Sequence, residues 1–437
     1  MLKKIIHFFY QLETTRKGNK WVRICRLPVF IVRFKESKTK YCLFGIPLVS
    51  VKKELNRTVY SILGFKKKVF DEKEINTISK DSLIQMATSS SMIAVFDLCF
   101  GGGTETYFFS QKDALISQHP ILRIQYINEK YKLTLYTQKS TGTLWAKDIA
   151  FLKEIKFAEV IVNHLIGYPN IKNLLSFILS LKQQTSRISA RIHDYFSICP
   201  YYNFMIGNIF CGGPETEKCI ACFQKDTVKE FPLYTNKNTD IVDWRNMWHN
   251  FYKQIDEIVV FSNSTACFFQ KVYPYLKNIT IIPHSVSYLR PITVTAHAGI
   301  NIGVLGSIVA TSKGKDILAQ MESKLKDYNN IHLVVIGEFA NQSNATLVTG
   351  KYNRSELPDL LEKHQIDIVL IPSVCPETFS YTTAEAMMMQ LPVACFNIGA
   401  PVERVSQYEK GLVISKIDAD TAITEIVKFM NREDRNA

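Results

Sequence analysis

The stretch that decides the fold of this 437-residue chain is residues 371–404, IPSVCPETFSYTTAEAMMMQLPVACFNIGAPVER. Residues 376–380 predict a turn, and residues 381–390 predict a helix that ends at a Leu-Pro pair. Residues 392–397 then predict a short buried strand. Glu377 lies in the turn before the helix, and Glu385 lies eight positions further on, inside the helix.

A helix that follows a loop in this way suits a ligand that carries phosphate. Its first N–H groups have no partner within the helix, and the helix dipole is positive at that end. A carboxylate in the loop and a second one two helical turns later can hold two different sets of sugar hydroxyls around that phosphate. The pattern therefore predicts a site for a nucleotide diphosphate sugar at Glu377 and Glu385. The alternative is two surface carboxylates on a capped helix, which is a common arrangement.

The same residues are similar to a known motif. The spacing of Glu377 and Glu385, followed by Ala-Met and a Leu-Pro-Val strand, resembles the donor-site signature of retaining glycosyltransferases of family 4. The Phe-Ser-Tyr-Thr interior and the downstream Gly-Ala and Glu-Arg pairs resemble a branch found in bacterial surface-polysaccharide gene products. The resemblance implies that Glu377 binds hydroxyls of the transferred sugar and that Glu385 binds the nucleotide ribose. It implies four further donor-site residues, Phe379, Ser380, Tyr381 and Thr382.

The resemblance extends over about residues 92–430 and implies an α/β fold of the GT-B class. In that fold two Rossmann-like parallel-sheet domains face each other across a cleft, and the alternation of strands and helices along the chain supports it. We expect a basic amphipathic N-terminal extension at 1–85 and an acceptor-side domain at 86–290. A nucleotide-sugar-binding domain is expected at 291–437, with a last helix that packs back onto the first domain.

A glycine turn separates a predicted strand at 92–98 from a predicted helix that runs to about residue 118. Its three glycines, 101–103, let a ligand approach the backbone closely, and Thr104 suits an N-cap. The turn resembles the Gly-Gly-Gly-Thr-Glu turn that opens the acceptor-side domain in the same branch. We therefore predict that Gly102, Gly103 and Thr104 form an acceptor-side or phosphate loop. A tight turn without a ligand is the alternative.

Two histidines follow predicted strands of the first domain, at the strand ends where ligands bind in open parallel sheets. His164 follows the strand at 158–163, and His193 and Asp194 follow the strand at 187–192. For each histidine the alternative is a hydrogen-bonded structural role. A His after each of these strands is usual in the resembled family. We expect His164 to face the sugar and act in catalysis, and His193 with Asp194 to be acceptor-side or structural.

The second domain begins with a predicted strand at 300–305, which is followed by Gly306, Ser307 and Lys313. A lysine just before the first helix of such a domain can pair with a diphosphate as it gains charge on leaving. Many members of the resembled family carry arginine where Ser307 stands, and the loop here is one residue longer. Lys313 is thus the sole obvious phosphate cation, with Gly306 and Ser307 predicted in the donor site.

The net charge of +13 is concentrated at the N-terminus. Residues 1–70 hold 17 Lys and Arg against three Glu, so the rest of the chain is close to neutral. Basic charge interleaved with aromatic and aliphatic residues suits the anionic inner leaflet of a membrane. The alternatives are an inert basic extension and nucleic acid, for which the sequence carries no recognised motif. We predict a cytoplasmic protein, peripheral on the inner membrane, because neither a signal peptide nor a spanning segment is found.

Ten cysteines without a signal peptide are typical of reduced thiols in a cytoplasmic protein. Cys199, Cys211, Cys219 and Cys222 lie within 24 residues and end in a CxxC. They suit either a structural zinc site or reduced cysteines that order an acceptor loop. We predict no catalytic metal and no cofactor beyond the donor, because Lys313 and helix N-termini can neutralise the diphosphate.

Together these features predict a retaining glycosyltransferase. It would move a sugar from a nucleotide sugar to a lipid-linked or growing saccharide in bacterial lipopolysaccharide or capsule synthesis. The alternatives are a non-catalytic nucleotide-sugar or glycan-binding adaptor at the membrane surface, a protein glycosyltransferase, and a GT-B phosphorylase or epimerase.

Overall fold

The structure is a computed structural model, and it divides the chain into two compact units. It describes residues 10–14, 20–24, 27–35, 38–43, 46–54, 57–62, 65–71, 76–98, 102–185, 187–224, 240–340 and 346–433. The first unit comprises Met1–Thr77 and Thr141–Thr143, and the second comprises Ile78–Ser140 and Leu144–Ala437. The predicted boundary at residue 85 therefore falls inside a helix of the second unit, Lys80–Ser89.

The first unit contains an antiparallel sheet whose seven strands pair in sequence order. The strands are β1 (Tyr10–Thr14), β2 (Lys20–Ile24), β3 (Leu27–Lys35), β4 (Lys38–Leu43), β5 (Ile46–Glu54), β6 (Arg57–Ile62) and β7 (Phe65–Asp71), followed by the short β8 (Asn76–Thr77). The segment predicted as a basic amphipathic extension is thus folded as a sheet over these strands.

The sheet of the first unit repeats one hairpin. Strands β2, β4 and β6 end at Ile24, Leu43 and Ile62, which are 19 residues apart. The pairing register shifts at the same place in each copy, after Val22, Tyr41 and Tyr60. Tyr41 and Tyr60 are therefore equivalent positions of consecutive hairpins, each next to a bulge.

The second unit contains two sheets with helices packed against them. Strands of the first sheet are β9 (Met92–Phe96), β10 (Ile121–Ile127), β11 (Lys130–Tyr136), β12 (Thr141–Ala146), β13 (Phe157–Val162), β14 (Ile188–Arg191), β17 (Glu257–Val260) and β18 (Ile279–Ile281). A separate hairpin, β15 (Met205–Ile206) with β16 (Ile209–Phe210), lies between β14 and β17 in sequence. The order across the sheet is β18-β17-β14-β13-β9-β10-β11-β12. The strands from β18 to β10 are parallel, and β11 turns back antiparallel to β10.

The second sheet is parallel throughout. Its strands are β19 (Ile300–Ile308), β20 (Ile331–Phe339), β21 (Leu347–Val348), β22 (Ile368–Ile371), β23 (Val393–Phe396) and β24 (Gly411–Ile414). They lie in the order β21-β20-β19-β22-β23-β24. Strands β22 and β23 are fully buried apolar runs, as expected where helices cover both faces of a sheet.

Eleven helices of the described residues alternate with these strands. They are α1 (Lys80–Ser89), α2 (Gly103–Gln118), α3 (Ile171–Ser180), α4 (Thr216–Gln224), α5 (Ile241–Tyr252), α6 (Asn263–Val272), α7 (Lys315–Leu325), α8 (Leu357–Lys363), α9 (Tyr381–Met388), α10 (Gly399–Val405) and α11 (Ala419–Glu433). None of them is long and apolar enough to cross a membrane.

The fold class predicted from the sequence, α/β with two Rossmann-like domains, is confirmed, with one local correction. We call the domain built on the first sheet the first lobe and the domain built on the second sheet the second lobe. Helix α11 was expected to pack back onto the first lobe. Instead its buried residues Ala422, Ile423 and Ile426 join the core of the second lobe, and it contacts α7 and β24. Its apolar stripe is therefore used within its own domain.

Candidate active site

A cleft of about 600 Å³ lies between the two lobes, where the carboxyl ends of strands from both sheets meet. Ligands of open α/β sheets bind at such strand ends. Almost every residue that the sequence nominated lines this cleft. They are Gly102, Gly103, Thr104, His193, Asp194, Gly306, Ser307, Lys313, Glu377, Phe379, Ser380, Tyr381, Thr382 and Glu385.

The central feature of the cleft is an ion pair between Lys313 and Glu377. The Lys313 Nζ atom lies 2.7 Å from Glu377 Oε1, and the Ser373 hydroxyl donates to the same oxygen. Burial alone would raise the pKa of Glu377, but the Lys313 ammonium and hydrogen bonds from Lys313, Ser373 and Ser380 hold it below its ordinary value. The carboxylate is therefore ionised and already oriented before any ligand arrives.

Two glycines allow these residues to come together. Gly399 has a φ of +66°, and a Cβ there would lie 2.6 Å from the backbone nitrogen of Glu377. Gly314, next to Lys313, has a φ of +84°, and its Cβ would lie 2.0 Å from the carbonyl oxygen of Pro372. Both positions need the left-handed conformation and a close backbone approach that only glycine combines without strain.

Glu385 lies in helix α9 and is 2% exposed. Its Oε1 atom accepts a hydrogen bond of 2.5 Å from the Tyr288 hydroxyl and lies 3.2 Å from Arg354 Nε. Burial is the main cause that raises the pKa of Tyr288, followed by its hydrogen bond to Glu385, so the phenol stays a donor. One carboxylate oxygen is thus fixed by the protein, and Glu385 presents an oriented acceptor to the cleft.

Arg354 corrects the expectation that Lys313 is the sole cation of the site. Arg354 lines the same cleft, and its guanidinium lies 5.0 Å from the centre of the Tyr381 ring. Ser307, which stands where many members of the resembled family carry arginine, donates a hydrogen bond to Glu338 at 3.3 Å. The positive charge that Ser307 cannot supply is therefore present elsewhere in the cleft, beside Glu385.

The glycine turn of the first lobe reaches the donor side of the cleft. A Cβ on Gly103 would lie 3.6 Å from the Tyr381 ring, so the turn faces helix α9 of the second lobe. The predicted N-cap was wrong, because α2 begins at Gly103 with Gly102 as its cap and Thr104 lies inside the first turn. The cap position needs a positive φ, which is +81° at Gly102. A threonine at this position would adopt that backbone conformation only with strain.

His193 and His164 lie one behind the other. His193 lines the cleft, whereas His164 lies outside it, with its Nε2 atom 2.6 Å from Asp194 Oδ2. The His164 side chain is only 8% exposed. His193 therefore faces the cleft, whereas His164, which was expected to face the sugar, lies behind it and contacts Asp194.

An aromatic cluster closes the cleft between the lobes. His284 stacks on Phe379 at 4.3 Å between ring centres and meets Phe261 edge-on at 4.1 Å. Burial, and then the charge of Arg404, lowers the pKa of His284 to about 3. Arg404 lies over the Phe379 ring at 4.2 Å and donates to the carbonyl oxygen of Ser380, which fixes the loop that carries Glu377.

The four clustered cysteines do not form a metal site. Among the described residues, which include all four, no group of three His, Cys, Asp or Glu side chains could hold a metal ion. None of the four forms a disulfide with a described residue, and the Arg245 guanidinium donates to Cys219 Sγ at 3.1 Å. The zinc alternative is therefore not supported, and the buried thiol of Cys199 packs in the core of the first lobe.

Comparisons with known proteins agree with this geometry. Residues 299–432 match the family model for glycosyl transferases group 1. This match makes the chain a transferase enzyme with a glycosyltransferase domain at residues 299–432. The matched residues contain Lys313, Glu377 and Glu385, so the family match and the cleft concern the same part of the chain. No curated protein is similar enough in sequence to count as a match.

A solved structure with a TM-score above 0.5 shares the GT-B fold of this chain. Sucrose-phosphate synthase from Thermosynechococcus elongatus is 11% identical, with a TM-score of 0.51 over 78% of this chain and 90% of that one. Anabaena HepE in complex with UDP is 14% identical, with a TM-score of 0.49 over 78% and 89% of the two chains. TarM is 10% identical, with a TM-score of 0.43 over 99% and 74%. At these identities the likeness concerns the fold alone.

Sequence reasoning missed several residues that line or shape the glycosyltransferase cleft. Arg354 and Tyr352 line it, Tyr288 holds Glu385, and His284 and Tyr107 belong to the aromatic cluster. Tyr288 lies just before the predicted domain boundary at residues 290–291, and Arg354 begins a 3₁₀ turn before α8. The one signal in the sequence for these two residues was that a Tyr and an Arg lie in loops next to strand ends. Without the fold, this signal is too weak to assign them to the cleft.

Proposed function

We propose that this glycosyltransferase transfers a sugar from a nucleotide sugar to a lipid-linked or growing saccharide, with retention of the anomeric configuration. The observation that carries the proposal is the Lys313–Glu377 ion pair in the cleft. A pair in which an exposed lysine neutralises a buried carboxylate is ready to exchange partners with a ligand that carries both a diphosphate and sugar hydroxyls.

The exchange assigns one ligand group to each partner. The Lys313 side chain is 46% exposed, so it can turn to the diphosphate, while Glu377, at 13%, stays in place and accepts hydrogen bonds from the sugar hydroxyls. Glu385 and Tyr288 then receive the ribose, and Arg354 lies at the same end of the donor. Glu377 lies in the loop before α9 and Glu385 lies within α9, and this separation sets the sugar end of the donor apart from the nucleoside end.

The proposed reaction is a substitution on one face of the sugar. The bond between C1 and the diphosphate oxygen breaks with its electron pair on the diphosphate, and the acceptor oxygen forms a bond to C1 on the same face. The proton of the acceptor hydroxyl passes to the leaving diphosphate. Charge that develops on the diphosphate is stabilised by Lys313, a term typically worth about 3 kcal/mol for one well-placed donor.

Surface-polysaccharide synthesis is the proposed setting, because basic charge is concentrated in residues 1–70. A basic surface binds anionic lipid with about 1 kcal/mol per Lys or Arg close to the membrane, and it would hold the enzyme near a lipid-linked acceptor. Charge reversal of Lys66, Lys67 and Lys68 to Glu should reduce flotation with anionic liposomes. The matched control reverses Lys130, Lys139 and Lys172, three exposed lysines of the second unit. Equal flotation of both variants would argue against this surface.

The experiment that tests the proposed reaction is a donor screen. Purified enzyme is incubated with a panel of nucleotide sugars, with and without lipid-linked saccharides, and nucleotide release is measured. We expect release with one donor class, stimulation by acceptor, and a product whose anomeric proton signal matches that of the donor. A product of inverted configuration, or release of sugar phosphate in place of nucleotide, would contradict the proposal.

A further inference from the structure

A row of four polar side chains crosses the first lobe along the carboxyl ends of its central strands. Neighbouring strands β10, β9, β13 and β14 contribute one residue each, either within the strand or just after it: Arg123, Asp97, Asn163 and His193. Arg123 Nε donates to Asp97 Oδ2 at 2.7 Å, and Asn163 Nδ2 donates to Asp97 Oδ1 at 2.8 Å. The row ends at the cleft, where Asn163 Oδ1 lies 2.9 Å from His193 Nε2.

The inner members of the row are closed to water. Asp97 is 0% exposed, Asn163 is 2% exposed and Arg123 is 4% exposed. In such surroundings each hydrogen-bond acceptor needs a donor opposite it, because two buried acceptors that face each other without a hydrogen between them are costly. Asp97 also accepts a hydrogen bond from the backbone N–H of Leu98, so its carboxylate acts only as an acceptor.

This arrangement fixes the orientation of the Asn163 amide. The Nδ2 group has to face Asp97, since a flipped amide would set two oxygens against each other at 2.8 Å. Oδ1 therefore faces His193, and an amide oxygen only accepts. The hydrogen between Asn163 and His193 accordingly belongs to the histidine.

We propose that the Arg123–Asp97–Asn163 row holds His193 as the neutral tautomer protonated on Nε2. The remaining nitrogen, Nδ1, is then an acceptor, which suits a hydroxyl group of a bound sugar and not a phosphate oxygen. Asn163 is thus a positioning residue that acts through His193. The tautomer is independent of the proposed function, whereas the contact with a sugar hydroxyl rests on it.

The surroundings of His193 also keep it neutral. Burial, followed by the nearby His164, His284 and Arg191, lowers its pKa well below the ordinary value. Its ring packs between Tyr107 at 5.1 Å and Phe261 at 4.8 Å. Its sequence neighbour Asp194, the acidic group closest along the chain, is engaged by His164. An imidazolium at His193 would therefore keep the Asn163 amide oxygen but have no carboxylate among these neighbours, so the ring is not placed to act as a cation toward a diphosphate.

The test is nitrogen NMR of the full-length protein labelled with ¹⁵N histidine, which reports the tautomer directly. The chain has nine histidines, and the signals of His193 are those that vanish in His193→Gln. We expect the wild type to show a protonated Nε2 and an unprotonated Nδ1 at neutral pH. A protonated Nδ1, or a doubly protonated ring, would overturn the proposal without any reference to turnover.

A matched pair of variants tests the role of Asn163. Asn163→Asp replaces the amide by a carboxylate, which favours the charged ring, so the protonation midpoint of His193 should rise by about one pH unit or more. The control is Asn278→Asp, whose amide donates to the Tyr252 and Ile255 carbonyls in the same lobe. A folded Asn163→Asp protein with an unchanged His193 midpoint would refute the role. If Asn163→Asp fails to fold, the wild-type tautomer alone decides.

Discussion

At the scale of single residues, the cleft balances buried carboxylates with partners that a ligand can replace. Glu377 is paired with Lys313, and Glu385 is paired with Tyr288 and Arg354. Breaking a buried pair by removing one partner is far more costly than exchanging it, because the remaining charge stays desolvated. Without a ligand, these partners therefore hold Glu377 and Glu385 in their binding geometry at little cost to the stability of the fold.

The hydrogen bond from Tyr288 to Glu385 leads to a prediction about nucleotide binding. Tyr288→Phe removes one donor from Glu385, so the dissociation constant for the free nucleotide should rise by about five- to tenfold, the worth of one hydrogen bond of about 1 kcal/mol. Calorimetry with the nucleotide of the cognate donor measures it. The control is Tyr275→Phe, since Tyr275 is 81% exposed. Equal affinity in both variants would remove Tyr288 from the site.

The sequence predicted the residues that line the cleft better than the residues that hold them in place. Glu377 and Glu385 follow a motif with fixed spacing, whereas Tyr288 lies 97 positions away from the carboxylate that it holds. Contacts of that kind depend on how the chain returns across the sheet, which local patterns do not encode. The positions of His164 and His193 were missed for the same reason, because both follow strands and only packing decides which of them lines the cleft.

At the scale of elements, the two lobes are joined by a helix cap. Glu403 in α10 of the second lobe accepts hydrogen bonds from the backbone N–H groups of Asn263 and Ser264, at the start of α6 in the first lobe. A carboxylate at a helix N-terminus satisfies free donors and complements the helix dipole. This contact orients the lobes on either side of the cleft.

The cap predicts a stability change that is specific to the charge at Glu403. Glu403→Gln keeps the shape but weakens the interaction with α6, so the free energy of unfolding should fall by about 1 kcal/mol. Denaturant unfolding measures the change. Glu409→Gln, at an exposed position one turn beyond α10, should leave stability unchanged. A Glu403→Gln protein as stable as the wild type would show that the cap does not hold the lobes together.

At the scale of the whole molecule, alternation of strands and helices was sufficient to predict two parallel-sheet domains. The seven-stranded sheet of the first unit was not predicted, because bulges interrupt the two-residue alternation of its strands. Composition alone indicated a basic amphipathic segment there, and composition does not separate a helix from a sheet. The position of α11 was missed because an amphipathic helix does not reveal which core it covers.

The aromatic cluster between the lobes predicts how stability depends on pH. The pKa of His284 is about 3 in the folded protein and about 6.5 in an unfolded chain, so between these values the unfolded state binds the extra proton. Stability should therefore fall as the pH decreases from about 6.5 toward 3. His284→Phe should flatten this dependence, as measured by denaturant unfolding from pH 7 to pH 4. The exposed His332→Gln variant is the control, and equal slopes for both variants would contradict the assignment.

The central claim is that Glu377 acts on the donor sugar and not on the fold. The direct test compares nucleotide release by the wild type and by Glu377→Gln, with the cognate donor and acceptor at saturating concentrations. Loss of one charged hydrogen bond in the transition state is worth about 2–4 kcal/mol, so turnover should fall by about two orders of magnitude or more. Circular dichroism should show an unchanged fold. A folded Glu377→Gln protein with wild-type turnover would contradict the account.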